Sequence, residues 1–179
     1  DRRASAARRS AITADLSLAV QASGRTGQAR ALAGEAATQA QQSADPATLA
    51  RAHNVLGLLA TAADDTTGAL RELGRAREYA QQAGDPELSV AVLNNLALAH
   101  RARGELGPAI ELTEAALLLC VTLGDRHREA ALLNNLADLL HRGGRGEEAM
   151  THLKAAVEIF AEVGAVEDPR PEIWKLVTW

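Results

Sequence analysis

The stretch Leu93-Asn94-Asn95-Leu96-Ala97 returns forty residues later as Leu133-Asn134-Asn135-Leu136-Ala137, and the same 40-residue frame fits residues 11 to 170 without a gap. It divides the chain into units 11–50, 51–90, 91–130 and 131–170. Leucine recurs at Leu16, Leu56, Leu96 and Leu136, each followed by a small residue, Ser17, Gly57, Ala97 or Ala137. Alanine recurs at Ala29, Ala69, Ala109 and Ala149, and again at Ala36, Ala76, Ala116 and Ala156. The two alanine columns stand seven residues apart, which is two helical turns on one face. Each unit therefore reads as a pair of antiparallel helices, A then B, in close contact through Ala and Gly. Breaks fall between A and B at Gly24, Asp64, Gly104 and Gly143-Gly144, and between units at Asp45-Pro46, Gly84-Asp85-Pro86, Gly124-Asp125 and Gly164. Gly accepts the left-handed helix cap and Pro cannot donate a backbone N–H, so helices end there. In such an array each unit buries its apolar face on its neighbours, so function is expected to reside in a surface.

At these residues the chain resembles the tetratricopeptide repeat (TPR). That family's pattern has a leucine and a small residue in helix A, a glycine at the turn, and two alanines seven apart flanking a larger residue in helix B. All four units carry the two alanines, and the larger residue is Leu73 and Leu153 in two of them. The usual helix A aromatics are absent, their columns holding Thr13, His53, Leu93 and Leu133, and Val20, Ala60, His100 and Leu140. Common units are shorter, about 34 residues. The longer unit is similar to repeats of kinesin light chains and to C-terminal repeat domains of large bacterial regulators. The resemblance implies an all-α, alpha-alpha superhelix, a TPR solenoid of four helix-hairpin repeats plus a C-terminal capping segment.

Residues 1–179 are expected to form a single TPR domain with an N-terminal helix extension at 1–10 and a cap at 171–179. In that cap Pro171 suits a first helical turn, and Ile173, Trp174, Leu176 and Val177 can cover the exposed face of the last helix B. Arg2, Arg3, Arg8 and Arg9 fall on solvated positions of the extension. The chain is net −4 with pI near 5.7, which argues against a nucleic-acid surface. Apolar residues make up 47% and charged residues 23%, the range of a soluble globular domain. No apolar run approaches the roughly 20 residues that span a bilayer, so no membrane is expected. Cys120 shares a helix B column with Ala40, Ala80 and Phe160, which predicts a buried free thiol and a reducing, cytoplasmic setting. The chain begins at Asp1 without Met, as a piece of a longer protein would.

Helix A offers the candidate site. Within each unit, positions 3, 6, 7 and 10 are apolar or small and form the inter-helix core, while positions 1, 4, 5, 8, 11 and 12 share a second face. In TPR arrays that second face lines a concave groove. Unit 2 contributes Arg51, Asn54, Val55, Leu58 and Thr61. Unit 3 contributes Asn94, Asn95, Leu98 and Arg101, and unit 4 contributes Asn134, Asn135, Asp138, His141 and Arg142. A side-chain amide both donates and accepts, so Asn residues on successive helices can bond the backbone of an extended peptide. The resemblance to kinesin light chains implies a peptide contact at Asn94, Asn95, Asn134 and Asn135, and at Asn54. Leu18, Leu58 and Leu98 add an aliphatic stripe, and Arg101, His141 and Arg142 a positive end for an acidic group. The same amides can instead bridge neighbouring helices, and the sequence leaves both readings open.

Nothing points to an enzyme. There is no GxxxxGK[ST], HExxH, CxxC or GxSxG. Gly143-Gly144-Arg145-Gly146 lacks the Lys-Ser/Thr of a phosphate loop and falls where the other units turn. His53 and His100 lie in core columns and read as packing histidines. No metal, cofactor or catalytic residue is expected. The leading expectation is a protein- or peptide-binding module whose partner is another protein or an upstream domain of the same polypeptide. The alternatives are a C-terminal sensor or regulatory domain of a bacterial transcription regulator or signalling ATPase, and a structural oligomerisation array.

Overall fold

Asp45, Asp85 and Asp125 each cap a helix by accepting a backbone N–H three residues on, from Thr48 at 2.9 Å, Leu88 at 3.0 Å and Arg128 at 3.0 Å. Pro46 and Pro86 follow in the first turn, where no N–H is needed. In the computed structural model, which describes residues 2–163, these caps and the turns between them delimit eight helices. The A helices are α1 (Arg2–Ala22), α3 (Pro46–Ala62), α5 (Pro86–Ala102) and α7 (Arg126–Arg142). The B helices are α2 (Thr26–Ser43), α4 (Thr66–Ala83), α6 (Leu106–Leu123) and α8 (Gly146–Val163). No strand occurs among the described residues. The fold is an all-α solenoid, and the expected cap at 171–179 lies outside the described residues.

The turns repeat as closely as the helices. Every A-to-B turn holds one left-handed residue, Gly24, Asp64, Gly104 or Gly144, and the B-to-A turns do so at Ala44, Gly84 and Gly124. The helices α3, α5 and α7 start five residues ahead of the frame boundaries at 51, 91 and 131. A repeat defines a period, whereas a cap defines where the unit begins.

Packing follows the small-residue columns. Ala29, Ala69, Ala109 and Ala149 are wholly buried, as are Ala36, Ala76 and Ala116. Gly57 is the tightest approach between two helices: a Cβ placed there would stand 2.4 Å from Cγ of the buried Leu73. Successive A helices meet, α1 with α3 and α3 with α5, while no two B helices approach as closely. The A helices therefore lie on the inside of the curve. The predicted packing histidine His53 is buried, with Nδ1 2.8 Å from Oε2 of Glu72 and its ring stacked on Tyr79 at 5.6 Å. Burial pushes the Glu72 carboxyl up, but hydrogen bonds from His53 and Arg71 and the charges of His53 and Arg75 outweigh it. Its pKa lies below the ordinary 4.5.

The helix α6 comes closer to spanning length than the sequence reading allowed. Its 18 residues have a mean hydropathy of 1.6, long and apolar enough by length and composition to cross a membrane. Here Ala109, Leu112, Thr113, Ala116 and Cys120 are its buried residues, and Glu111 and Glu114 interrupt its exposed side. The Cys120 thiol is free and buried, and burial followed by the charge of Asp125 raises its pKa.

Candidate peptide-binding groove

The amides of the repeated Asn-Asn pair meet across neighbouring A helices. Asn95 Nδ2 donates to Asn54 Oδ1 at 2.9 Å, and Asn135 Nδ2 donates to Asn94 Oδ1 at 3.0 Å. The fourth position of one unit thus bonds the fifth position of the next. Between units 1 and 2 the same pair is Ala14 and Val55, buried together in one apolar cluster. Val55, expected in the groove, is therefore core. A single hydrogen bond leaves each amide most of its capacity, since the side chain offers two donors and two acceptor lone pairs. Asn54, Asn94, Asn95, Asn134 and Asn135 all remain partly exposed.

Between α5 and α7 the amides border a cavity of about 230 Å³. Asn94, Asn95 and Asn135 share its wall with Arg128, and Val90, Ala91, Ala131 and Leu132 supply the apolar part. The sequence reading missed Arg128, Val90 and Leu132 as wall residues, whereas Ala91 and Ala131 stand at position 1 of the expected face. Arg128 and Val90 lie ahead of or at the frame boundary, yet Arg128, Ala131 and Asn135 are spaced i, i+3, i+7 on one helical face. Arg128 is held by the capping Asp125, Nε to Oδ2 at 3.4 Å.

The expected positive end is largely internally neutralised. Asp138 Oδ2 accepts from Arg101 Nη1 and from Arg142 Nε, both at 3.0 Å. Asp138 thus joins α5 to α7, and one net positive charge is left among the three groups. His141 and Arg142 are exposed, and Leu58 and Leu98 are half-buried on the same face of α3 and α5. No group of three His, Cys, Asp or Glu gathers at metal distance among the described residues.

The sequence model of the tetratricopeptide repeat matches residues 88–162. Those residues are tetratricopeptide repeats. The 40-residue frame carries the same columns back to residue 11. Among solved structures, aspartyl phosphate phosphatase F from Bacillus subtilis superposes with a TM-score of 0.81 at 15% identity, over 93% of this chain. This chain spans only 43% of that protein's length. A putative kinesin light chain from Podosopora anserina, with nearly identical TPR-like repeats, gives 0.71 at 20% identity over 88% of this chain and 77% of its own. BtubC (BKLC) from P. vanneervenii gives 0.60 at 18% identity over 95% and 93%. At these identities the likeness is one of fold. No curated protein matches the chain. TPR arrays serve in general as non-catalytic scaffolds for protein interaction.

Proposed function

We propose that this TPR array binds an extended peptide segment of a protein partner along the A-helix face, centred on the cavity between α5 and α7. The observation that carries this reading is the combination in one concave site of three amides, one guanidinium and an apolar wall. Amides suit a peptide backbone, the apolar wall suits one aliphatic side chain, and Arg128 suits a carboxylate. Asn54, Leu58, Leu98, Asn134, Asp138, His141 and Arg142 extend the contact along the groove, with Arg101 held by Asp138. The partner segment belongs either to another protein or to an upstream domain of the same polypeptide. The buried free thiol of Cys120 favours work in a reducing, cytoplasmic setting.

The amide bridges complicate a test by Asn substitution alone, because Asn95→Ala and Asn135→Ala also cut contacts between units. Ala131 is exposed and lines the cavity without joining a bridge, so Ala131→Trp fills the site and leaves the bridges intact. Peptides selected from a random displayed library on the wild-type array supply the probe, titrated by calorimetry against both proteins. At least tenfold weaker binding to Ala131→Trp, about 1.4 kcal/mol, with an unchanged helical melt is expected. Equal affinity for the two proteins would remove the cavity from the binding surface.

A further inference from the structure

A second cavity, of about 110 Å³, lies where α4, α5 and α6 meet, and it shares no wall residue with the cavity between α5 and α7. Val92, Leu93 and Leu119 supply its apolar part, and Arg77, Gln81 and Ser89 its polar part.

The repeat accounts for this space. Between units 1 and 2, Leu49 packs on Ala37, Ala40 and Ala52. Between units 3 and 4, Leu117 packs on Leu133 and Ile159. Forty residues separate Leu49 from Ser89, and Arg77 from Leu117, so the interface of units 2 and 3 has a polar residue at both positions from which a leucine enters the other two. Leu119 is also smaller than its counterpart Tyr79, whose ring stacks on His53. The cavity therefore has room for one branched aliphatic group. Its volume is below the roughly 150 Å³ that takes a benzene ring and suits an isobutyl group.

The polar side selects the head group. Arg77 has no hydrogen-bond or ion-pair partner among the described residues, whereas Arg71 and Arg75 of the same helix hold Glu72. Gln81 follows one turn later on the same face of α4, and its side-chain amide is equally unengaged among the described residues. Ser89 Oγ donates to the Asp85 carbonyl at 2.8 Å, so its proton is committed and the hydroxyl takes no part in holding an anion. No acidic residue lines the cavity. A guanidinium and an amide donor beside an apolar slot favour an anion with a short hydrocarbon tail over a neutral or cationic group.

We propose that this cavity binds a short branched-chain carboxylate, with its isobutyl group against Val92, Leu93 and Leu119 and its carboxylate on Arg77 and Gln81. The wall draws on both units, so occupancy strengthens the interface between units 2 and 3 and stabilises the array as any native-state ligand does.

Isovalerate titrated into the 179-residue chain tests this, followed through the methyl resonances of Val92, Leu93 and Leu119. Saturable shifts are expected with a dissociation constant on the order of 1 mM, as suits so small a ligand. Acetate lacks the tail and isoamyl alcohol lacks the charge, and each is expected to bind at least about tenfold more weakly. Arg77→Gln, at an exposed position, keeps the slot and removes the charge. It is expected to weaken isovalerate to the level of the alcohol and to leave the alcohol unchanged. Ser89→Leu brings in the leucine that Leu49 supplies between units 1 and 2, and is expected to abolish binding while the thermal midpoint holds or rises. Ala131→Trp, in the other cavity, is expected to leave the titration as it is, so the two sites are tested separately. A wild type without saturable shifts, equal affinity for isovalerate and isoamyl alcohol, or shifts that persist in Ser89→Leu would each overturn the proposal.

Discussion

Glu72 shows how one residue links the repeat to pH. It is buried in α4, bonds His53 of α3 at 2.8 Å and receives Arg71 Nε at 2.9 Å. Its carboxyl pKa is depressed in the fold, so folding favours the ionised form. The resulting stability is fully present above the unfolded value near 4.5 and is lost as pH falls through the lower folded value. Glu72→Gln is expected to be about 1.5–3 kcal/mol less stable at neutral pH, the range for hydrogen bonds to a charged group. The gap between variant and wild type should narrow below pH 4.5, because other carboxylates titrate alike in both. Urea midpoints measured across that range decide it, and parallel curves would assign the His53 contact no electrostatic role. His53 was legible in the sequence as a packing histidine from its column. Its partner was not, because Glu72 belongs to a different helix, 19 residues away.

At the scale of the element, the turns carry most of the information. Five glycines and Asp64 take the left-handed conformation at these turns, and Ala44 takes it at φ 55°. An L-residue other than Gly pays about 1–2 kcal/mol there through its Cβ. Replacing Ala44 by Gly relieves that strain and loosens the unfolded chain by about 0.4–1 kcal/mol. The net expectation is a gain on the order of 0.5–1 kcal/mol, read as a higher denaturation midpoint. Gly84→Ala and Gly124→Ala should shift the midpoint by a similar amount in the other direction. An Ala44→Gly chain no more stable than wild type would mean that the turn relaxes around Ala44. These element ends were readable in advance because Gly, Asp and Pro act on their own backbone and need no distant partner.

Across the whole molecule, stability should grade with the number of neighbours. The helix pairs α3–α4 and α5–α6 each pack, as pairs, against units on both sides, whereas α1 packs on α2 and α3 with Ile12 left exposed. In a linear array each interface adds its own term, so amides of α1 are expected to exchange fastest and those of α5 slowest among these helices. Hydrogen exchange read by mass spectrometry checks this, and uniform protection across the helices would show a single cooperative unit. The amide bridges Asn54–Asn95 and Asn94–Asn135 and the Arg101–Asp138 pair are the polar terms between successive A helices.

The sequence by itself determined the period, the helix pairs, the turns and the face on which the Asn pairs lie. These are local properties, set by helical spacing and by residues that cap their own helix. Tertiary structure alone decided how that face packs. The tilt between successive A helices brings the fourth position of one unit to the fifth of the next, joins the amides in pairs and draws Asp138 between two arginines. It also brings Arg128 into the cavity wall, although the repeat frame had assigned it to the previous unit. Column position specifies an angle around one helix axis, whereas contact between units depends on how two axes cross.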